Sequence, residues 1–148
     1  PEFFWVRQFN PKDDRNVFIY RTEYRKPEQF QKDSLIALRD KICRKYLFED
    51  PEKADTYLLT ETAVSFKPVL TRPVTHAGNY GHEMQGLWRN NNYGMGGPFI
   101  SLVVLDPEKK YLYYVEGFIY GPSRDLRELI REVETVIYTL SFPTAPVK

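Results

Sequence analysis

Two long apolar runs, close together in the sequence, dominate the hydrophobic pattern of this chain. Residues 99–105 are nearly all apolar, and the turn-forming and charged residues 106–110 separate them from residues 111–120. The second run places five side chains on one face: Leu112, Tyr114, Glu116, Phe118 and Tyr120. A strand with two apolar faces belongs in the middle of a sheet or is covered on both sides. We therefore predict a central β-hairpin that needs a layer of other elements over it.

Several segments before this hairpin also have strand patterns. Residues 3–9 form an aromatic run and residues 17–25 alternate between two faces, so together they predict a hairpin. Residues 57–62 and 64–70 predict two further strands. The proline and glycine in residues 71–78 indicate a segment that crosses the sheet or follows its edge.

Residues 80–89 alternate again and predict another strand. Met84, Gly86 and Trp88 share one face of this strand, whereas Arg89 lies on the other. Gly86 has no side chain, so we expect a neighbouring ring or backbone to approach closely at that position.

Two segments have the 3.6-residue period of an amphipathic helix. The first, residues 28–48, carries Arg39 inside its apolar arc, so this side chain either extends to solvent along its stem or pairs with a carboxylate. The second follows Ser123, a good N-cap residue. Its apolar stripe contains seven aliphatic residues: Leu126, Leu129, Ile130, Val133, Val136, Ile137 and Leu140.

The order ββαβββββα, without regular βαβ alternation, predicts an α+β fold. We expect a mostly antiparallel sheet with two helices packed on one face. Nothing in the composition divides the chain, so residues 1–148 are predicted to form a single domain. The chain begins at Pro1 rather than Met, which indicates a piece cut from a longer product.

Charge and cysteine content exclude several classes of function. Twenty-one basic and 20 acidic residues leave a net charge of +1, which gives no general field to attract nucleic acid or an anionic membrane. Cys43 is the only cysteine, so the chain can form neither an internal disulfide nor a cysteine-based metal site. We expect no nucleic-acid partner and no cofactor.

The loop from Asn90 to Pro98 is polar and rich in glycine. A phosphate-binding loop precedes a helix N-terminus and carries a lysine or a fixed glycine pattern. Here a strand follows and no lysine is present. We therefore interpret the loop as a tight connection whose glycines need a positive φ.

Five residues could form an aromatic patch beside this loop: Trp5, Trp88, Tyr93, Met95 and Tyr120. Exposed aromatic rings commonly mark ligand or partner sites, including sugar-binding faces and protein hot spots. We expect Trp88 to belong to the core. Tyr93 and Met95 lie in the loop and are the stronger candidates for direct contact.

Arg89 and Glu116 are candidates for a charged pair. Glu116 lies among aromatic side chains, where an unpaired charge is costly, and Arg89 ends a strand beside the glycine-rich loop. A forked pair would satisfy both groups and hold the loop. The alternative is that each is solvated at the rim of the sheet. The candidate binding residues are therefore Trp88, Arg89, Tyr93, Met95, Glu116 and Tyr120.

His76, His82 and Glu83 are the candidates for a metal or acid–base group. Catalytic zinc usually takes three protein ligands, and the spacing of the two histidines matches no common zinc site, so we predict no metal. Glycosidase chemistry needs two carboxylates facing a cleft. Glu83 and Glu116 are available, but no spacing selects them, and we identify no catalytic residue.

Four ordered motifs carry a family resemblance: Gly-Leu-Trp-Arg at 86–89, Met-Gly-Gly-Pro-Phe at 95–99, Val-Glu-Gly-Phe-Ile-Tyr at 115–120 and Tyr-Thr-Leu at 138–140. With them the chain resembles a bacterial family of uncharacterised proteins, domain of unknown function family 4837. Its members look like cell-envelope lipoproteins, and this chain is similar to their C-terminal half. The resemblance implies an extracytoplasmic location and a lipid anchor outside this fragment, but no catalytic residue.

Three classes of function follow as expectations. The leading one is a non-catalytic envelope module that binds a protein partner or a glycan through the loop from Asn90 to Pro98 and the nearby aromatic residues. The second is a structural domain that packs on a missing N-terminal half. The third is a hydrolase that uses Glu83, Glu116 or the histidines.

Overall fold

The computed structural model describes residues 2–9, 13–50, 52–63, 67–92, 94–121 and 126–143. This part of the chain forms eight strands and two α-helices, with a 3₁₀ turn at Pro27–Phe30 before the first helix. The elements are, in order, β1 (Phe3–Phe9), β2 (Asp14–Glu23), α1 (Lys32–Tyr46), β3 (Phe48–Asp50), β4 (Lys53–Glu61), β5 (Leu70–His76), β6 (Asn79–Asn90), β7 (Gly96–Leu105), β8 (Tyr111–Tyr120) and α2 (Arg127–Ile137).

The strands form one sheet whose two edges curl toward each other. The order is β1-β2-β8-β7-β6-β4-β3, with β5 also paired to β6, and all pairings between described strands are antiparallel. In a flat sheet β1 and β3 would lie about 29 Å apart, at roughly 4.8 Å per strand. Residues from both strands instead line one pocket, so the sheet is a curled half-barrel. The predicted α+β class and mostly antiparallel sheet are confirmed.

The central hairpin that the hydrophobic pattern predicts is confirmed. Strands β7 and β8 pair from Phe99 opposite Phe118 to Leu105 opposite Leu112. Almost every side chain in this hairpin is buried, on both faces of the sheet. The predicted N-terminal hairpin is also confirmed, because β1 pairs with β2 and β2 then pairs with β8.

The strand predicted at residues 64–70 is not found in the described part, whereas residues 71–76 follow the edge of the sheet, one of the two outcomes predicted for that segment. Residues 67–69 are not in a strand, and residues 64–66 lie outside the described part. The strand is instead Leu70–His76, which pairs with β6 with Pro73 opposite His82. Proline has no backbone N–H to donate to a neighbouring strand. It is therefore tolerated in β5, which is an edge strand with a neighbour on one side only.

The strand predicted at residues 80–89 is confirmed as β6, and so is the close approach at Gly86. A Cβ atom on Gly86 would lie 3.0 Å from the ring of Phe99 and 3.2 Å from a methyl carbon of Val69. The missing side chain therefore lets the ring of the neighbouring strand pack directly against the backbone of β6.

The two helices cover opposite faces of the sheet, so the expectation that both pack on one face is wrong. On one face, which we call the inner face, α1 packs with hairpin residues 99, 103, 105, 112, 114 and 118. On the other face, α2 packs with residues 100, 102, 104, 115 and 119. Alternate side chains of a strand point to opposite faces, so these two sets define two separate layers.

Both helices are shorter than predicted. Helix α1 ends at Tyr46, and α2 begins at Arg127, while Ser123 lies outside the described residues. Leu129, Val133 and Ile137 of α2 are buried, but Val136 is 50% exposed, so the apolar stripe is narrower than the sequence indicates. Within the described residues, neither helix has the length and apolar character needed to cross a bilayer.

Candidate functional site

A small pocket opens on the inner face of the half-barrel, where both edges of the sheet meet. We call it the aromatic pocket. Its lining comes from β1 to β4, β6, β8 and the loop between β6 and β7: Trp5, Arg7, Asp14, Asn16, Phe48, Leu58, Trp88, Asn90, Met95, Phe118 and Tyr120. Its volume is about 80 Å³. Residues distant in sequence therefore meet there only because the sheet curls.

Aromatic rings form the walls of this pocket. The ring of Phe118 lies 6.5 Å from that of Trp5 and 5.8 Å from that of Trp88, and Tyr120 lies 6.2 Å from Trp88, all measured between ring centroids. Trp88 is buried, as expected, whereas Trp5 and Tyr120 are half-buried. The wall thus has a fixed base at Trp88 and more accessible rings beside it.

Trp88 is held by a hydrogen bond that depends on Gly97. The indole Nε1 of Trp88 donates to the backbone oxygen of Ile119 at 3.0 Å. A Cβ atom on Gly97 would lie 2.1 Å from that oxygen and 3.0 Å from Nε1. Close approach, not a left-handed backbone, therefore explains this glycine.

The expectation that the loop glycines need a positive φ is wrong. None of Gly94, Gly96 and Gly97 has a left-handed φ, and the one described glycine that does is Gly78. The loop is closed instead by Asn90, whose side-chain oxygen accepts from the backbone N–H of Met95 at 3.0 Å. This contact places Met95 at the edge of the pocket. Tyr93, the other loop candidate, lies outside the described residues.

A polar corner lies beside the aromatic walls, on β2. Asp14 and Asn16 are 7% and 3% exposed, and both line the pocket. The Trp5 indole donates to the side-chain oxygen of Asn16 at 3.1 Å, and Arg7 forms an ion pair with Asp14. Asp14 and Asn16 are not among the residues that the sequence pattern predicts for the site. Extending the alternation of Phe18 and Tyr20 two steps back along β2 places them on the same face.

A buried ion pair lies beneath the same face, between Arg39 of α1 and Glu116 of β8. Nε and one terminal nitrogen of Arg39 donate to the two carboxylate oxygens of Glu116 at 2.7 and 3.0 Å. Both side chains have no exposed surface. Arg39 thus pairs with a carboxylate, one of the two outcomes that its position in the apolar arc allowed.

Hydroxyl groups and a ring complete this network. Ser101 and Tyr114 each donate to Glu116 at 2.8 Å, and Arg39 donates to the hydroxyl of Thr60 at 3.0 Å. The Arg39 guanidinium also lies 4.0 Å from the centre of the Phe99 ring. Several partners therefore compensate the loss of water that burial of these charges entails.

Burial also shifts the titration of groups near this ion pair. It raises the pKa of the Tyr114 hydroxyl well above its usual value and that of the Cys43 thiol to about 12. Burial opposes the charge on Arg39, yet the neighbouring Glu116 carboxylate helps to keep the pKa of Arg39 above its usual value. Near neutral pH Tyr114 is therefore a hydrogen-bond donor, and Cys43 is a protonated core thiol.

The predicted pair between Arg89 and Glu116 is wrong. Arg89 forms an ion pair with Glu61 at 3.2 Å. In the register of the sheet, Glu116 lies opposite Ser101, and Ser101 lies opposite Met84, on the inner face. Arg89 is an odd number of positions from Met84, so it projects from the opposite face. Two of the six candidate binding residues, Arg89 and Glu116, are therefore not in the pocket lining.

The histidines and acidic candidates are also separated by the sheet. His82 stacks against Phe30 on the inner face, whereas His76 hydrogen bonds to the backbone oxygen of Leu140 beyond α2. Glu83 is buried on the outer face and pairs with Arg72. Glu83 and Glu116 thus face opposite layers and cannot act on one substrate. Within the described ranges, no group of three His, Cys, Asp or Glu side chains could hold a metal ion.

These features define a class: a single-sheet α+β domain, curled around an aromatic pocket, with a fully buried ion pair in its core. The chain belongs to the family described as Domain of unknown function (DUF4837), whose family model matches residues 1–139. The resemblance seen in the sequence motifs is thereby confirmed. A search of curated proteins gave no match.

Proposed function

We propose that this domain is a non-catalytic module of the cell envelope that binds a partner molecule through the aromatic pocket. The observation that carries the proposal is the convergence of five aromatic rings with three buried polar residues, Asp14, Asn16 and Asn90, at an opening in the inner face. Other rings, such as Phe18 and Tyr114, stack on each other in the core, whereas the rings of the aromatic pocket stand beside open space. The envelope location rests on the family resemblance alone.

The size of the pocket supports binding of a small protruding group. Pockets that enclose a whole small-molecule substrate usually measure roughly 300–1,000 Å³. The aromatic pocket, at about 80 Å³, admits part of a larger molecule, such as one ring or one side chain. This volume favours a surface-recognition module over a hydrolase, as does the separation of Glu83 from Glu116.

The pocket also refines the set of candidate binding residues. Trp88, Met95 and Tyr120 remain candidates because they line it, and Trp5 joins them. Trp88 sets the floor, while Trp5, Met95 and Tyr120 are half-buried and can touch a ligand. The loop from Asn90 to Pro98 contributes through Met95 at the rim.

A binding assay with matched variants tests the proposal. We expect the domain to bind purified envelope material, and Trp5→Ala and Tyr120→Ala to weaken this binding about tenfold or more each, as loss of an aromatic contact residue typically does. Leu70→Ala is the control, because Leu70 is 62% exposed on a different edge of the sheet. Equal binding by all four proteins, each checked for its fold by circular dichroism, would count against the proposal.

A second candidate function is packing against another part of the same protein. Phe4, Val6 and Val136 are 61%, 55% and 50% exposed. They line an apolar recess of about 200 Å³ between the outer side of β1 and α2. An exposed apolar surface of this kind commonly marks a site of contact with another protein segment. If it serves for packing, Phe4→Ser with Val6→Ser would destabilise a longer protein but not this domain alone.

A further inference from the structure

We infer that the aromatic pocket recognises a carbohydrate, taking one face and one or two hydroxyl groups of a single sugar ring. This inference rests on the proposed function, and it specifies the ligand class of the same site. It follows from the polar corner at Asp14 and Asn16, which an apolar ligand would leave unsatisfied.

The orientation of the Asn16 side chain is fixed by its neighbour. The indole nitrogen of Trp5 can only donate, so the atom of Asn16 that faces it at 3.1 Å must be the amide oxygen. The amide nitrogen therefore points away from Trp5. Among the described residues it has no hydrogen-bond partner, although Asn16 is only 3% exposed. Asn16 lines the pocket, so this N–H donor is available to an acceptor from water or from a ligand.

Asp14 supplies the complementary acceptor two residues along the same strand. One of its carboxylate oxygens accepts from Arg7, and within the described part of the chain the other has no hydrogen-bond partner. Residues i and i+2 of a strand lie on one face, roughly 7 Å apart. A donor and an acceptor at that separation fit the hydroxyl groups on one edge of a sugar ring, because each hydroxyl can both donate and accept.

The aromatic walls match the remaining surface of such a ring. The C–H face of a pyranose is apolar and packs against an indole or phenol ring, which Trp5 and Tyr120 offer at the opening. A ligand is thus held by an apolar face on one side and by hydrogen bonds on the other. Apolar contact on one side with a few orienting hydrogen bonds is typical of small-molecule sites.

Other ligand classes fit less well. An aliphatic or phenylalanine side chain would cover Asp14 and Asn16 without hydrogen bonding, which is unfavourable for buried polar groups. A cation would compete with Arg7, which already neutralises Asp14. A neutral polyhydroxylated ring satisfies both residues and leaves the ion pair in place.

The experiment titrates the ¹⁵N-labelled domain with methyl glycosides of glucose, galactose, mannose and N-acetylglucosamine, followed by NMR. We expect at least one glycoside to shift the side-chain amide signals of Asn16 and the indole signal of Trp5. Asn16→Asp keeps an acceptor for Trp5 but removes the donor, so it should weaken binding about tenfold. Asn79→Asp, at the first residue of β6, is the matched control and should bind normally.

Asp14→Asn provides a second variant if Asn16→Asp does not fold. It should also weaken glycoside binding, since an amide is a poorer acceptor than a carboxylate. If no glycoside shifts these signals, the carbohydrate inference is overturned. The proposed function survives that outcome if Trp5→Ala still weakens envelope binding, most clearly when protease treatment of the envelope material abolishes that binding. If no glycoside shifts these signals and Trp5→Ala leaves envelope binding unchanged, both the carbohydrate inference and the proposed function are overturned.

Discussion

Replacing Arg39 with methionine tests how the core of this domain is organised. The substitution keeps much of the unbranched stem but removes the charge that faces Glu116, with both side chains fully buried. Tyr114 and Ser101 can still donate to the remaining carboxylate. The buried negative charge, however, then lacks its cation.

The expected loss of stability is large. Removing one partner of a buried ion pair costs about 3–5 kcal/mol, because the other charge is left uncompensated. Domains have a total unfolding free energy of roughly 5–15 kcal/mol, so the variant should be close to its limit of stability. Replacing both residues, as Arg39→Met with Glu116→Leu, removes the uncompensated charge and should cost less than the sum of the single changes.

Urea unfolding at pH 7, followed by tryptophan fluorescence, measures these effects. With a denaturant dependence of about 2 kcal/mol per molar, the midpoint of Arg39→Met should fall by roughly 2 M. Arg89→Met is the control, because its ion pair with Glu61 is partly exposed and should contribute no more than about 1 kcal/mol. If Arg39→Met is no worse than this control, or if the double variant shows no coupling, the assigned role of the buried pair is wrong.

Three further predictions concern other parts of the fold. Burial raises the pKa of Cys43 from 9.0 to about 12, so the thiol loses its proton more readily in the unfolded state than in the folded state. The free energy of unfolding should therefore fall between pH 9 and 12, by up to about 1.4 kcal/mol per pH unit. Urea titrations of Cys43→Ala should lack this pH-dependent loss. Burial tends to raise the pKa of Glu83, but hydrogen bonds from Arg72 and Tyr138 lower it overall. The ionised carboxylate therefore stabilises the folded state above pH 4.5, and this contribution is lost as the pH falls. Tyr138→Phe should therefore unfold at a higher pH in an acid titration, and an unchanged midpoint would contradict the assignment. Gly97→Ala should lower the melting temperature by several degrees, because its Cβ would lie 2.1 Å from a backbone oxygen.

Hydrophobic periodicity was sufficient to predict the strands of the central hairpin and the presence of both helices. It did not assign the helices to faces, because the helix pattern reports only that one side is apolar. The hydrophobic pattern of the hairpin, however, does indicate where the helices lie. Since residues 99–105 are apolar on both faces, two helices on opposite faces are needed to cover them, and the structure has this arrangement.

The partner of Glu116 illustrates what periodicity cannot supply. Arg39 and Glu116 are 77 residues apart, and only the tertiary structure brings the helix and the strand together. Strand alternation excludes Arg89 once the register of the sheet is known, because Glu116 shares the face of Trp88 and Arg89 points to the opposite face. The polar corner was missed for a related reason, since the predicted strand began at Val17 and omitted Asp14 and Asn16.

The proposed function places the ligand of this domain at the aromatic pocket. Trp5 and Trp88 are the two tryptophans of the chain, and both line the pocket. Incorporation of 5-fluorotryptophan therefore gives two ¹⁹F signals that report on this site. On titration with solubilised envelope material that the domain binds, we predict that at least the Trp5 signal shifts in proportion to binding. Saturated binding with both signals unchanged would contradict the account.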